Sequence, residues 1–508
     1  MPPHQTATCH RRIPLTISAL VLLAGIAAAP AAEDGLSDPQ MADAVERVFS
    51  RDPAINASRI DVAVNEGVVS LTGEVTNILA KDRATHVAQA IRGVRSVSNR
   101  IEVQTPLTRS DHAIRGDVIM SLVRDRVSES FDIGVTVDDR VVTLTGSVQS
   151  WQESRFAERA AKEVKGVSAV ENRIIIDYET ERDDAEIRDE IVSRFRWDPL
   201  ISRNQIDIDV DDGQVALSGA VTSDAERSRA FSKAWGTGVK AVDDADLVVT
   251  PGSERAVVRP SSQPYVTDAN IEQAVEDAML YDPRVYSFDI RVQADQGAVR
   301  LTGNVDSLRA KHAAEQLAED TVGVTTVTNL VKVRTQTAVS DDEAEQAVVD
   351  ALVRNPYTEA YEIDTRVNNG TVTLSGEVTT YFEKAEAERV ASRAMGVQDV
   401  INAIQVDQSQ EAYVYDPWVD PYDPYAPYLD AYAPDTPLLS DAEIADEIEG
   451  ELYWSPFVEV DQIDVRVVNG VATLSGTVDS WSERSAAVTN AYEGGATLVV
   501  NDLAVASD

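Results

Sequence analysis

Three sets of side chains in this 508-residue sequence have the type and spacing to do chemistry: a few histidines, a run of aspartates and a knot of arginines. His86, His112 and His312 stand at unrelated places, whereas a charge-relay triad or a histidine metal site needs imidazoles that converge. Ordinary surface positions are expected for all three. Asp207, Asp209, Asp211 and Asp212 before Gly213 have the look of a calcium loop. The glycine comes one position late for that, no glutamate closes the loop, and Ile206, Ile208 and Val210 alternate between the aspartates as a strand does. A solvent-facing strand is therefore expected. No pair of carboxylates is set apart for acid–base work. The chain is expected to be no enzyme, with no catalytic residue, metal or cofactor. Arg92, Arg95 and Arg100 gather around Gly93. They either complement the C-terminal dipole of a helix or form a basic patch for anionic head groups, at about 1 kcal/mol per residue near the surface.

The elements that position these groups repeat. A Leu-(Thr/Ser)-Gly triplet ends at Gly73, Gly146, Gly219, Gly303, Gly376 and Gly476, with spacings of 73, 73, 84, 73 and 100 residues. One unit is thus copied six times, over residues 37–105, 110–178, 183–250, 266–334, 339–407 and 440–505. Each opens with a helix: Met41, Val45, Val48 and Phe49 share one face in the first. Proline stops this helix at Pro53, Pro199, Pro283, Pro356 and Pro456. Two alternating strands follow, joined by a tight turn with glycine at Gly67, Gly213, Gly297, Gly370 or Gly470, and with Arg140 in the second unit.

Four residues past each anchor glycine comes an N-cap type: Asn77, Ser150, Ser223, Ser307, Thr380 or Ser480. Glutamate three residues later, at Glu153, Glu226, Glu383 and Glu483, is expected to complete a capping box. The second helix carries alanines one turn apart in all six units, beginning with Ala84 and Ala88. Such a face lets the helix approach the sheet closely, over the strand glycine, so the six anchor glycines are read as structural. A Gly-Val turn and a third strand with Asn99, Asn172, Asn329 or Asn402 close the unit; Asp244 takes that place in the third. The expected fold class is α+β: six tandem α-β-β-α-β domains, each a three-stranded mixed sheet with two helices on one face.

Formal charge is −41, a balance that repels nucleic acid. It is unevenly spread: residues 36–105 hold eight basic and nine acidic side chains, residues 440–505 two and thirteen. Residues 1–31 read as a secretory signal, with basic His10, Arg11 and Arg12, an apolar run and a small-residue cleavage site near Ala31. Export to the periplasm is expected, with Cys9 lost and no transmembrane segment in the mature chain. The Arg-Arg pair matches a twin-arginine signal only weakly. Residues 251–265 form a linker. Residues 408–438, rich in Tyr, Pro and Asp, form a second one: a plain spacer, or a docking strip in which Tyr415, Trp418, Tyr422, Tyr425 and Tyr428 bind a partner.

The unit, with its Leu-(Thr/Ser)-Gly hairpin and Gly-Val-x-x-Val-x-Asn before the last strand, resembles the BON domain of bacterial osmotic-shock and nodulation proteins. The resemblance implies an exported, non-catalytic module of the Gram-negative envelope. Family members are thought to bind phospholipid surfaces and maintain the envelope under osmotic stress, and some act as periplasmic folding helpers. The implied partners are a phospholipid or envelope surface, or periplasmic and outer-membrane proteins held by a chaperone-like scaffold. Two copies per chain are common, so six is an expansion.

Overall fold

Met41, Val45, Val48 and Phe49 lie together on the buried side of α1 (Asp38–Arg51) in the structure, a computed structural model. It describes residues 36–506, apart from 106–108, 125–132, 179–181, 203–204, 251–265, 281, 283, 286–288, 336–338, 359–362 and 407–438. The leader, both linkers and the residues Tyr415, Trp418, Tyr422, Tyr425 and Tyr428 lie outside the described residues. In unit one, α1 is followed by β1 (Ile60–Asn65), β2 (Val68–Val75), α2 (Ile78–Gln89) and a third strand in two pieces, β3 (Ser96–Asn99) and β4 (Glu102–Val103). β1 pairs antiparallel with β2, and β3 and β4 pair parallel with β2 in one register. The middle strand is thus the second in every unit: the first is antiparallel and the third parallel to it.

Both helices cover the same face. Val69, Leu71 and Val75 of β2 join the buried side chains of α1 and α2 in one apolar cluster. The alanines of the second helix supply the contact: Ala84, Ala88, Ala157, Ala161, Ala230, Ala234, Ala314, Ala318, Ala387, Ala391, Ala487 and Ala491 are all 0% exposed. All six N-cap side chains accept the amide three residues on. The closed capping box forms on this helix at Thr380 and Glu383. In units two, three and six the glutamate reaches one residue further back, to the amides of Gln149, Thr222 and Asp479. In the last two its second oxygen also takes a loop amide, Ser202 or Glu459. These glutamates tie the helix start to the segment before the first strand.

The anchor glycines have a different reason from the one expected. Gly73, Gly146, Gly219, Gly303, Gly376 and Gly476 all have φ between +115° and +134°, a region closed to L side chains. A Cβ on Gly73, Gly219, Gly303 or Gly476 would meet a backbone carbonyl oxygen just before the first strand, at 1.8–2.1 Å. The close neighbour is that carbonyl and not the alanine helix.

The hairpin turns have two consecutive positive-φ residues, such as Glu66-Gly67 and Asn369-Gly370, the geometry of a type I′ turn. Arg140 adopts it too, at φ 66°. Six aspartates not singled out in the sequence hold these turns. The first residue of each opening helix (Asp38, Asp111, Asp184, Asp268, Asp341 or Asp441) accepts both turn amides, at 2.8–3.1 Å. The third-strand asparagines also have a task. Asn99, Asn172, Asn329 and Asn402 donate to a carbonyl of the second helix and accept the amide two residues ahead. In unit three the strand is irregular between Asp243 and Asp246, and Asp244 faces Arg227 instead.

Gly476→Ala meets both a forbidden φ and a backbone oxygen, so it is expected to cost at least about 1–3 kcal/mol. Gly116→Ala, mid-helix with nothing within 4 Å of the added methyl, is expected to stabilise by about 0.5–1 kcal/mol. Denaturant unfolding of the two variants checks both signs.

Candidate functional site

The three arginines read as a patch do not face the same way. Arg95 and Arg100 are exposed at the start of β3 and just past its end. The stem of Arg95 lies against the Gly67 turn. Arg92 is half-buried and turned to unit six. Its amide donates to the Trp454 carbonyl at 2.7 Å, its guanidinium donates to the carbonyls of Ser455 (3.0 Å) and Val458 (3.3 Å), and it lies 5.6 Å from the centre of the Tyr453 ring. Asp207, Asp209 and Asp211 point to solvent along a strand, and His86, His112 and His312 are exposed. Among the described residues no three His, Cys, Asp or Glu side chains are grouped to hold a metal. A hollow lined by Ala54, Arg59, Glu74 and Gln104 has about 20 Å³, room for roughly one water.

Charged groups also converge between units: three pairings share one pattern, one with six, two with five, and three with four, while Lys162 of unit two meets Asp82 of unit one at 2.8 Å. The recurring backbone link is an amide before the turn glycine that donates to the last carbonyl of a partner's opening helix. Arg92 donates to Trp454, Lys165 to Arg354 (3.0 Å) and Val322 to Trp197 (2.9 Å). Helix-end carbonyls lack internal partners, and this contact satisfies one in each pair. Trp454 also packs against the core of unit one, and Trp197 against the shared core of units four and five.

Beside each link a carboxylate at the end of one second helix meets basic groups of the partner's second helix. Glu163 of unit two accepts from Arg389 (2.8 Å) and Arg393 (2.7 Å) of unit five, and from its own Arg159. Burial alone would raise its carboxyl; the guanidiniums of Arg393, Arg389 and Arg159 outweigh that and hold it at about 2. Asp320 of unit four contacts Arg229 (3.0 Å) and Lys233 (3.0 Å) of unit three and Ser482 of unit six (3.1 Å). Although burial opposes it, those two cations hold Asp320 well below the usual carboxylate range. Glu493 of unit six faces Arg83 of unit one at 3.6 Å. Arg83 and Arg229 also pair within their own units, with Asp52 and Asp198 just past the opening helix. In unit five Asn355 donates instead to Glu386. A sequence signal for these contacts does exist. Glu163, Asp320 and Glu493 each fall thirteen residues after the second-helix N-cap, in units two, four and six.

This constellation holds units together. The BON domain profile matches residues 37–105, 110–178, 183–251, 267–335, 340–408 and 440–507. The chain belongs to the BON-domain family. It is 34% identical over 144 residues to Osmotically-inducible protein Y of Escherichia coli (strain K12), spanning 27% of this chain and 69% of that protein. To Outer membrane lipoprotein DolP of Haemophilus influenzae it is 28% identical over 140 residues, 27% of this chain and 72% of that protein. To the 21 kDa hemolysin of Actinobacillus pleuropneumoniae it is 31% identical over 123 residues, 23% of this chain and 63% of that protein. No helix among the described residues is long and apolar enough to cross a membrane.

Between BON units one and six lies a carboxylate of the opposite kind. Glu451 is buried, and burial pushes its carboxyl up to about 8, with Glu493 and Glu447 adding to the rise and Arg51 and Arg47 opposing it. A carboxyl raised in the folded state penalises folding as pH climbs from its ordinary 4.5 through 8. Glu451→Gln should therefore raise the thermal midpoint above pH 8 and leave it unchanged below pH 4.5, relative to the unmodified chain. Asp320→Ala removes one of the two carboxylates that Arg229 and Lys233 share, leaving them to Asp198, and is expected to cost about 1–3 kcal/mol. Lys240→Ala, which breaks an exposed pair with Asp212, is expected to cost under about 1 kcal/mol. Denaturant midpoints of the two variants test that contrast.

Proposed function

We propose that this chain is an exported, non-catalytic protein of the bacterial periplasm. In this reading it binds anionic phospholipid surfaces through its BON units and supports the envelope under osmotic stress. The observation that carries the reading is the charge of unit one. In a chain of −41, this unit is nearly neutral and keeps Arg95 and Arg100 exposed beside one strand. Two relatives point the same way by name, one an osmotically inducible protein and the other an outer membrane lipoprotein. Weak contacts from several joined units add up only when they engage one surface together, and a lipid layer offers such a surface. The most acidic units keep the chain soluble and away from non-specific polyanions.

Co-sedimentation of the full chain with vesicles of phosphatidylcholine and phosphatidylglycerol tests the reading. Binding is expected to need the anionic lipid and to weaken with salt. Losing two arginines at ~1 kcal/mol each is worth about thirtyfold, so Arg95→Glu with Arg100→Glu should weaken it by at least that. Binding indifferent to both changes, or suppression of client aggregation with no vesicle binding, would replace the lipid reading with a protein-binding one.

A further inference from the structure

Unit six is seated on the cationic side of unit one. Arg51 pairs with Glu447, Arg83 faces Glu493, and Arg92 is held by the carbonyls of Ser455 and Val458. A methyl at Gly450 would stand 3.8 Å from the Arg47 guanidinium. Half of unit one's eight basic side chains are therefore directed at unit six, which itself holds two basic and thirteen acidic residues. The groups that unit six presents, carboxylates and free carbonyl oxygens, are the acceptor chemistry that phosphodiester and ester groups present at an anionic lipid surface. The contact is also separable. Unit six closes its own core from Ile444, Ile448, Leu474, Ala487, Ala491 and Leu503, and the apolar side chain it lends to unit one's core is Trp454. The chain between units five and six is long enough, in contour, to let unit six leave once Ser482 gives up Asp320 of unit four and Tyr492 gives up Tyr381 of unit five. Residues 407–438 span roughly 100 Å when fully extended.

We infer that unit six is an intramolecular competitor for a lipid-binding face of unit one. Arg47, Arg51, Arg83 and Arg92 form a surface for anionic phospholipid that unit six covers until a membrane displaces it. The inference rests on the lipid reading above and adds its regulation. A ligand shifts such an equilibrium only by its different affinity for the two states. Here the closed state offers Arg95 and Arg100, and the open state adds Arg47, Arg51 and Arg92, with Arg83 still paired to Asp52.

The test uses the full chain with Glu447→Gln and Glu493→Gln, which removes unit six's share of the ion pairs and leaves every arginine in place. Two readouts are taken: hydrogen exchange at the Arg92 amide, which reports docking without lipid, and affinity for vesicles with and without phosphatidylglycerol. The expected result is exchange at least tenfold faster and affinity for phosphatidylglycerol vesicles at least tenfold higher, with phosphatidylcholine vesicles unaffected. Adding Arg47→Gln and Arg51→Gln should then take away most of that gain. Unchanged exchange at Arg92 overturns the latch. Faster exchange with unchanged vesicle affinity overturns the competition but leaves the lipid reading standing, provided Arg95→Glu with Arg100→Glu still weakens binding. Absence of vesicle binding by both chains sinks both.

Discussion

The fold depends on how near a helix can come to a sheet. Side chains that end at Cβ allow the closest approach, and close packing then leaves little room for error in register. Every one of the six second helices in this chain meets its sheet through a pair of fully buried alanines. With that helix seated, its N-cap, its capping glutamate and the asparagine of the third strand all fall within hydrogen-bonding reach of the backbone they serve. The anchor glycine serves the other end of the same problem. It lets the middle strand pass within contact of the carbonyl that precedes the first strand. The aspartate at the start of the opening helix holds the hairpin turn, so both ends of the hairpin are fixed by groups outside it.

Six such units do not remain separate beads. Units four and five share one apolar core, and opening-helix ends and second-helix ends also serve as connectors. A free helix-end carbonyl takes a neighbour's amide, and a terminal carboxylate takes a neighbour's arginines. The pairing is nested along the chain, with the outermost units together and the middle two together. Because the carboxylate at the helix end is present in units two, four and six, and is replaced by Ala90, Gly236 and Arg393 in the others, partner choice is written in charge as well as shape. That charge pattern also explains why the most acidic unit sits on the unit with the most even balance.

The architecture was legible in the sequence because it is periodic. Alanines one turn apart, N-cap residues four after a glycine, and alternating strands recur six times, and repetition separates such signals from chance. Contacts between groups far apart in the chain were less legible. Asp38 and Gly67 are 29 residues apart and neither belongs to the other's element. Arg92 is the instructive case. From its neighbours it could be read as a dipole partner or a head-group ligand. Its actual partners, Tyr453, Ser455 and Val458, lie more than 360 residues away. The glycine was recognised as special, but its neighbour was misjudged, because the loop before the first strand has no periodic pattern to place it. In unit six a Cβ at Gly494 would meet the backbone of Ile448, so that glycine lets the unit's two helices close up.

What remains is to ask whether the alanine seat exists in all six copies at once. The direct measurement is thiol labelling of six single-cysteine chains (Ala84→Cys, Ala157→Cys, Ala230→Cys, Ala314→Cys, Ala387→Cys and Ala487→Cys), each with Cys9→Ser. His312→Cys serves as an exposed reference on one of the same helices. Under native conditions all six should label at least a thousandfold more slowly than the reference, and at its rate once denatured. Labelling of any one at the reference rate in the folded chain would show that its helix is not seated, and the account of that unit would be wrong.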